Sequence, residues 1–229
     1  MATFLSFFLP LLMLLTACSD PGAGTVQALN NNDNTNETTT EAEDLSEPDT
    51  TSLAKATFAG GCFWCTEAIF ERLKGVKHVV SGYTGGKELN PTYQQVSAGK
   101  TGHAEAVQVY FNPKEISYAE LLEVFFATHD PTTLNRQGPD VGKQYRSVIF
   151  YHDAQQQQQA KRYIVELDAA GTYKNKIVTQ LVPFTKFWEA EDYHQDYYRL
   201  NPTDPYVVSV ARPKIKKFED AFRSKLKSN

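Results

Sequence analysis

The segment GGCFWCTEAIFERLKG, residues 60–75, holds two of the chain's three cysteines, Cys62 and Cys65, three positions apart. That spacing serves three chemistries: a pair that exchanges with disulfides, half of a zinc site, or a nucleophile with its own resolving thiol. Zinc takes four ligands, usually two such pairs or two cysteines with two histidines. The remaining cysteine, Cys18, lies far upstream, and His78, His103, His129, His152 and His194 lack the close pairing of zinc-ligand histidines. No metal is therefore expected.

The surrounding elements determine what the pair can do. Lys55 to Ala59 alternates apolar residues and runs into Gly60-Gly61, after which Ala68, Ile69 and Leu73 recur at helical spacing, with Gly75 as a stop. Strand, tight turn and helix put Cys62 at a helix N-terminus, where unpaired N–H groups and about half a positive charge favour thiolate over thiol. This predicts a lowered Cys62 pKa and makes Cys62 the candidate nucleophile. Cys65 falls on the same helical face, about 5–6 Å away between Cβ atoms. A disulfide needs roughly 3.8 Å, so a small shift of the first turn would close the bond. Phe63 and Trp64, between the cysteines, suit a small apolar group.

Further along, VKHVVSGY, EAVQVYF, RSVIFY and KIVTQLV are predicted as strands. Ser117 to Glu120 forms a capping box opening the apolar helix Leu121 to Phe126, and Asp153 caps a helix through the glutamine run that Gly171 ends. EAEDYHQDYY and the tail after Pro213 complete the elements. Strands and helices interleave but also pair locally, which predicts an α+β fold with a mixed sheet.

The chain of 229 residues is 41% hydrophobic, enough for one sizeable core, and its net charge of −4 gives no reason to expect nucleic acid. The charge is unevenly spread. Ser19 to Ala54 has no Lys or Arg but eight acids, against 23 Lys and Arg in the rest. This polar stretch has almost nothing to bury and is expected to act as a disordered tether. Before it, MATFLSFFLPLLMLLTACSD is a short apolar run ending in small residues, as in a signal peptide. Leu15-Thr16-Ala17-Cys18 resembles a bacterial lipobox, in which the cysteine is lipidated. The expected organisation is thus a lipoprotein signal peptide with Cys18 as the lipidation site (1–18), an acidic tether (19–54) and a catalytic domain (55–229). The expected location is extracytoplasmic, anchored to a membrane through Cys18.

GCFWC, together with SGYTGG, NPTYQQVSAGKTGHAEAV, HDPTTLNRQGPDVGKQYRS and EDYHQDYY, resembles the A-type peptide methionine sulfoxide reductases, with motifs in the family's order from about Phe58 to Tyr206. The resemblance implies reduction of the S epimer of methionine sulfoxide, free or in proteins, by thiolate attack on the sulfoxide sulfur, with no cofactor. An oxide leaves only when protonated, so acids must meet it. Glu105 in GHAEAV matches the family's carboxyl acid and is expected to be buried enough to hold its proton near neutral pH. Tyr93 and Tyr145 match its two phenol donors. Asp140 matches a site aspartate that fixes polar groups of the pocket, His194 and Tyr197 match residues lining the site, and Phe63 and Trp64 would hold the S-methyl group. Attack would leave a sulfenic acid on Cys62, which Cys65 would convert to a disulfide for a thioredoxin-like dithiol to reopen. Many members of the family have Gly at the position of Cys65 and a recycling cysteine near the C-terminus. No cysteine follows Cys65 here, so it is the only intramolecular resolver available. The fold expected is a two-layer α+β sandwich with a mixed β-sheet (a ferredoxin-like core), flanking helices and the catalytic cysteine at a helix N-terminus. Two rivals remain: a thioredoxin-like disulfide oxidoreductase, against which stand Phe63-Trp64 and the motifs of Glu105 and Tyr93, and a redox-dead binding lipoprotein, against which stands the cysteine pair.

Overall fold

The computed structural model describes residues 53–228; the signal-peptide, Cys18 and tether assignments lie outside the described residues. In chain order the elements are β1 (Ala54–Gly60), α1 (Phe63–Glu71), β2 (Val76–Thr84), α2 (Tyr93–Ser97), β3 (Ala104–Phe111), α3 (Tyr118–Thr128), β4 (Arg136–Gln137), β5 (Asp140–Val141), β6 (Ser147–Tyr151), α4 (Ala154–Ala169), β7 (Gln180–Pro183), β8 (Phe187–Glu189), α5 (Tyr197–Leu200) and α6 (Arg212–Ala221). Six strands form one sheet in the order β7-β6-β1-β3-β2-β8. All neighbours are antiparallel except β6 and β7, so the sheet is mixed. Its centre, β6-β1-β3-β2 with α1 and α3 as the two crossover helices, is a ferredoxin-like βαββαβ unit.

The two faces of the sheet are buried unequally. On the helix side Phe58 of β1 stacks on Phe70 of α1 at 5.3 Å and on Phe125 of α3 at 4.9 Å, inside the main core. On the other side Ala59, Ala104, Ala106, Val148 and Phe150 form a second cluster under Val182, Phe184 and Phe187. Covering both faces explains why Thr57 to Gly60 are all buried instead of alternating with exposed positions.

Local sequence sets the helix starts. The Ser117–Glu120 capping box opens α3, and Asp153 caps α4 by accepting from the Gln156 N–H at 2.8 Å. A second capping box, Thr92 with Gln95, opens α2 and fixes Tyr93 as its first residue. The strand expected over KIVTQLV is shorter than its apolar pattern suggests. Ile177 N–H donates to Asp168 and Val178 N–H to the Pro131 carbonyl, so only Gln180 onward joins the sheet.

Candidate active site

The turn from β1 into α1 is possible because Gly61 adopts φ +96°, where a Cβ would lie 2.7 Å from the Cβ of Gln137. Cys62 follows as the N-cap of α1, but its side chain makes no cap bond. One of the helix's orphan donors is met instead from across the core, where the Phe63 N–H donates to Oε2 of Glu105 at 3.2 Å. Glu105 reaches there from β3, paired in register with Tyr83 of β2. The sheet therefore delivers a carboxyl group to the same helix end that carries Cys62.

Glu105 is only 2% exposed. Burial pushes its carboxyl up to about 8; the Phe63 N–H opposes this, while the charges of Asp140 and Cys65 add to it. It is a neutral acid at pH 7, with one oxygen engaged by the backbone and the other left to carry the proton.

Cys62 and Cys65 are both buried free thiols. The acidity expected for Cys62 is reversed. Burial pushes its thiol well up, and the hydrogen bond with Cys65 and the charges of Cys65 and Glu105 push the same way. The helix N-terminus does not compensate for the water lost around the sulfur. Cys65, hydrogen-bonded to Cys62, is lowered to about 7.

The aromatic residues form a connected wall. Trp64 stacks on Tyr197 with centroids 3.7 Å apart, and its Nε1–H donates to Nδ1 of His194 at 3.1 Å. Nδ1 of His194 thus accepts, which puts the ring proton on Nε2; burial lowers the pKa of this histidine and keeps it neutral. His194 also packs on Phe63 at 5.2 Å and on Tyr93 at 4.2 Å. It is the central strut of the wall. The Tyr93 phenol is pushed up to about 12, first by burial and then by the charges of Glu105 and Cys62. Tyr145, in a single 3₁₀ turn before β6, is raised by burial, with Glu105, Tyr93, Asp140 and Cys62 adding to it. The fold therefore gathers Cys62, Cys65, Glu105, Tyr93, Tyr145, Asp140, Phe63, Trp64, His194 and Tyr197 around one helix end.

Two groups escape a reading of the sequence. Glu191 accepts from the Tyr83 hydroxyl at 2.8 Å and from the Tyr93 N–H at 2.9 Å, tying the start of α2 to the sheet. Tyr206 donates to Oδ2 of Asp140 at 2.6 Å and stands edge-on to Trp64. Glu191 opens EDYHQDYY, a motif that points to His194 and Tyr197 but says nothing of the acid beside them. Tyr206 merely closes the stretch of motifs, and no local pattern marks it.

Two thiols one turn apart, a buried neutral carboxylic acid, phenols and an apolar wall make a site suited to a thiol-dependent oxidoreductase. The sequence model of the family described as peptide methionine sulfoxide reductase matches residues 54–226. The chain belongs to this family and has the activity of a peptide-methionine (S)-S-oxide reductase. Among similar proteins, a peptide methionine sulfoxide reductase MsrA 1 of Rhodopirellula baltica is 56% identical over 174 residues, covering 76% of this chain and 90% of its own. A peptide methionine sulfoxide reductase MsrA of Haloquadratum walsbyi is 55% identical over 171 residues, covering 75% and 97%. The reduced form of Mxr1 from Saccharomyces cerevisiae superposes with a TM-score of 0.62 at 37% identity, over 68% of this chain and 89% of that one. Methionine sulfoxide reductase A of Corynebacterium diphtheriae gives 0.60 at 34% identity, over 69% and 77%.

Proposed function

We propose that the chain repairs oxidised methionine through a sulfenic acid on Cys62 and a Cys62–Cys65 disulfide. The observation that carries this reading is the meeting of Cys62 with a buried, neutral Glu105 at the open end of α1. The S-methyl group of the substrate rests against Phe63 and Trp64, a contact worth about 0.8 kcal/mol per carbon and so a matter of orientation. The Cys62 sulfur attacks the sulfoxide sulfur while Glu105 gives its proton to the oxygen, and the phenols of Tyr93 and Tyr145 hydrogen-bond that oxygen as charge develops. Methionine leaves reduced by two electrons, and the oxygen ends on Cys62 as a sulfenic acid. The proton that Cys62 brought as a thiol replaces the one given by Glu105. Cys65 then closes the disulfide with loss of water, and a thioredoxin-like dithiol reopens it.

The proposed setting is extracytoplasmic, with the enzyme held to a membrane by lipid on Cys18. Among the described residues no helix is long and apolar enough to cross a membrane. Turnover with separated S and R sulfoxides and a dithiol tests the chemistry. Selective loss of the S epimer is expected, and equal rates on both would overturn the reading. Intact mass and fractionation test the anchor: a soluble mature protein, unchanged by Cys18→Ser, would remove it.

A further inference from the structure

Closing the disulfide is a reaction in its own right, and none of the groups assigned to sulfoxide reduction accounts for its protons. The Cys65 thiol must lose a proton, and the hydroxide leaving Cys62 must gain one. Both cysteines, Asp140 and Tyr206 line a single cavity of about 850 Å³, whereas Glu105, Tyr93, Tyr145, Phe63 and Trp64 do not line it. The acid of the first step thus belongs to the substrate side of Cys62, and a different phenol faces the side where the two sulfurs meet. Tyr206 is fixed there by its 2.6 Å bond to Asp140 and by its edge-on contact with Trp64, centroids 5.8 Å apart. Its hydroxyl-bearing ring lines the same cavity as Cys62 and Cys65.

We propose that Tyr206 is the proton carrier for disulfide closure, with Asp140 as the residue that positions it. The proposal rests on the reading of Cys62 as nucleophile and Cys65 as resolver. The Cys65 sulfur attacks the Cys62 sulfur; the S–S bond forms and the S–O bond breaks. The Cys62 sulfur is reduced by one electron equivalent and the Cys65 sulfur oxidised by one. The Tyr206 hydroxyl turns its proton from Asp140 to the departing hydroxide, which leaves as water, while the Tyr206 oxygen takes the proton of the Cys65 thiol; the bond to Asp140 then re-forms. The phenol is regenerated and no outside acid, base or oxidant is consumed. Between turnovers Asp140 holds the phenol oxygen at 2.6 Å, on the wall of the cavity that the two cysteines share. Burial, and then the charges of the cysteines, push the Tyr206 hydroxyl far up, so it remains a phenol that hands protons on instead of ionising.

Tyr206→Phe keeps the ring and its edge contact with Trp64 but removes the hydroxyl. One equivalent of S-methionine sulfoxide is mixed with the reduced, dithiol-free protein. Methionine is followed by quenched flow, the Cys62 sulfenic acid by a carbon-nucleophile trap, and the disulfide by loss of two thiols. In Tyr206→Phe, closure should slow by about 10²-fold or more, the usual contribution of a positioned acid or base, so that methionine forms well before the thiols disappear. The solvent deuterium isotope effect on closure should change with it, a response that loss of packing alone would not produce. Asp140→Asn should lengthen the life of the sulfenic acid in the same step, by less. Closure at the wild-type rate in both variants, or equal slowing of methionine formation and closure, overturns the proposal. Absence of methionine formation in the wild-type protein would instead overturn the reading on which it rests.

Discussion

Replacing Glu105 by Gln should make the protein more stable and the enzyme worse. Burial holds the Glu105 carboxyl at about 8 against an ordinary 4.5. Between those values the unfolded chain gives up this proton while the native state keeps it, so native stability falls as pH rises and levels off above about pH 8. From pH 5 to pH 7 the loss comes to about 2–3 kcal/mol, since each pH unit across most of the interval contributes about 1.4 kcal/mol. Glutamine is of similar size, can still accept from the Phe63 N–H and never ionises. The stability advantage of Glu105→Gln over wild type should therefore widen by about 2–3 kcal/mol over that interval. Glu67 and Glu71, which burial raises to about 8 and about 7, titrate in both proteins and cancel in the difference. Activity moves the other way. At pH 7 a carboxyl with a pKa of 8 is about 90% protonated, against roughly 0.3% for one at 4.5, so burial makes the acid about 300-fold more available. Losing it should cost ~10²–10⁴-fold in the first step. Urea unfolding of both proteins at pH 5, 6 and 7, with quenched-flow methionine formation, measures both effects. A stability gap that does not change with pH, or a first step within threefold of wild type, would refute the reasoning.

Cys62→Ser should form no methionine, whereas Cys65→Ser should form about one per enzyme and then stall with thioredoxin; normal cycling by Cys65→Ser would remove it as resolver. Trp64→Leu loses the Tyr197 stack and the bond to His194, and an aromatic pair is worth about 0.5–1.5 kcal/mol beyond burial. Its KM for S-methionine sulfoxide should rise by up to about tenfold, and an unchanged KM would count against the wall as the methyl site. Gly61→Ala places a side chain at φ +96° and its Cβ against Gln137, a strain of about 2 kcal/mol. Calorimetry should show Tm falling by roughly 4–8 °C, and a fall of under one degree would mean that the turn relaxes freely.

What could be read in the sequence was what neighbours along the chain decide. Gly60-Gly61 ahead of a helical spacing locates the helix end at Cys62, and Ser117 with Glu120 opens α3 whatever it packs against. The strands VKHVVSGY, EAVQVYF and RSVIFY follow the same logic, as local runs rich in β-branched and aromatic residues. The acidity of Cys62 could not be read this way. A helix N-terminus argues for a low thiol pKa, and that rule is local; the burial that reverses it, with Glu105 of β3 close by and Tyr206 and residues of α6 lining the cavity beside the sulfur, comes from distant parts of the chain. Glu191 and Tyr206 escaped for the same reason, because each acts through contacts more than sixty residues away in sequence. The comparison also separates two kinds of site residue. In the proposed mechanism Glu105, Tyr93 and Tyr145 answer to the leaving oxygen, a demand that every sulfoxide makes. The groups facing Cys65 answer to where the second thiol stands, and in this chain it stands on the nucleophile's own helix, so their partners have to be found in space.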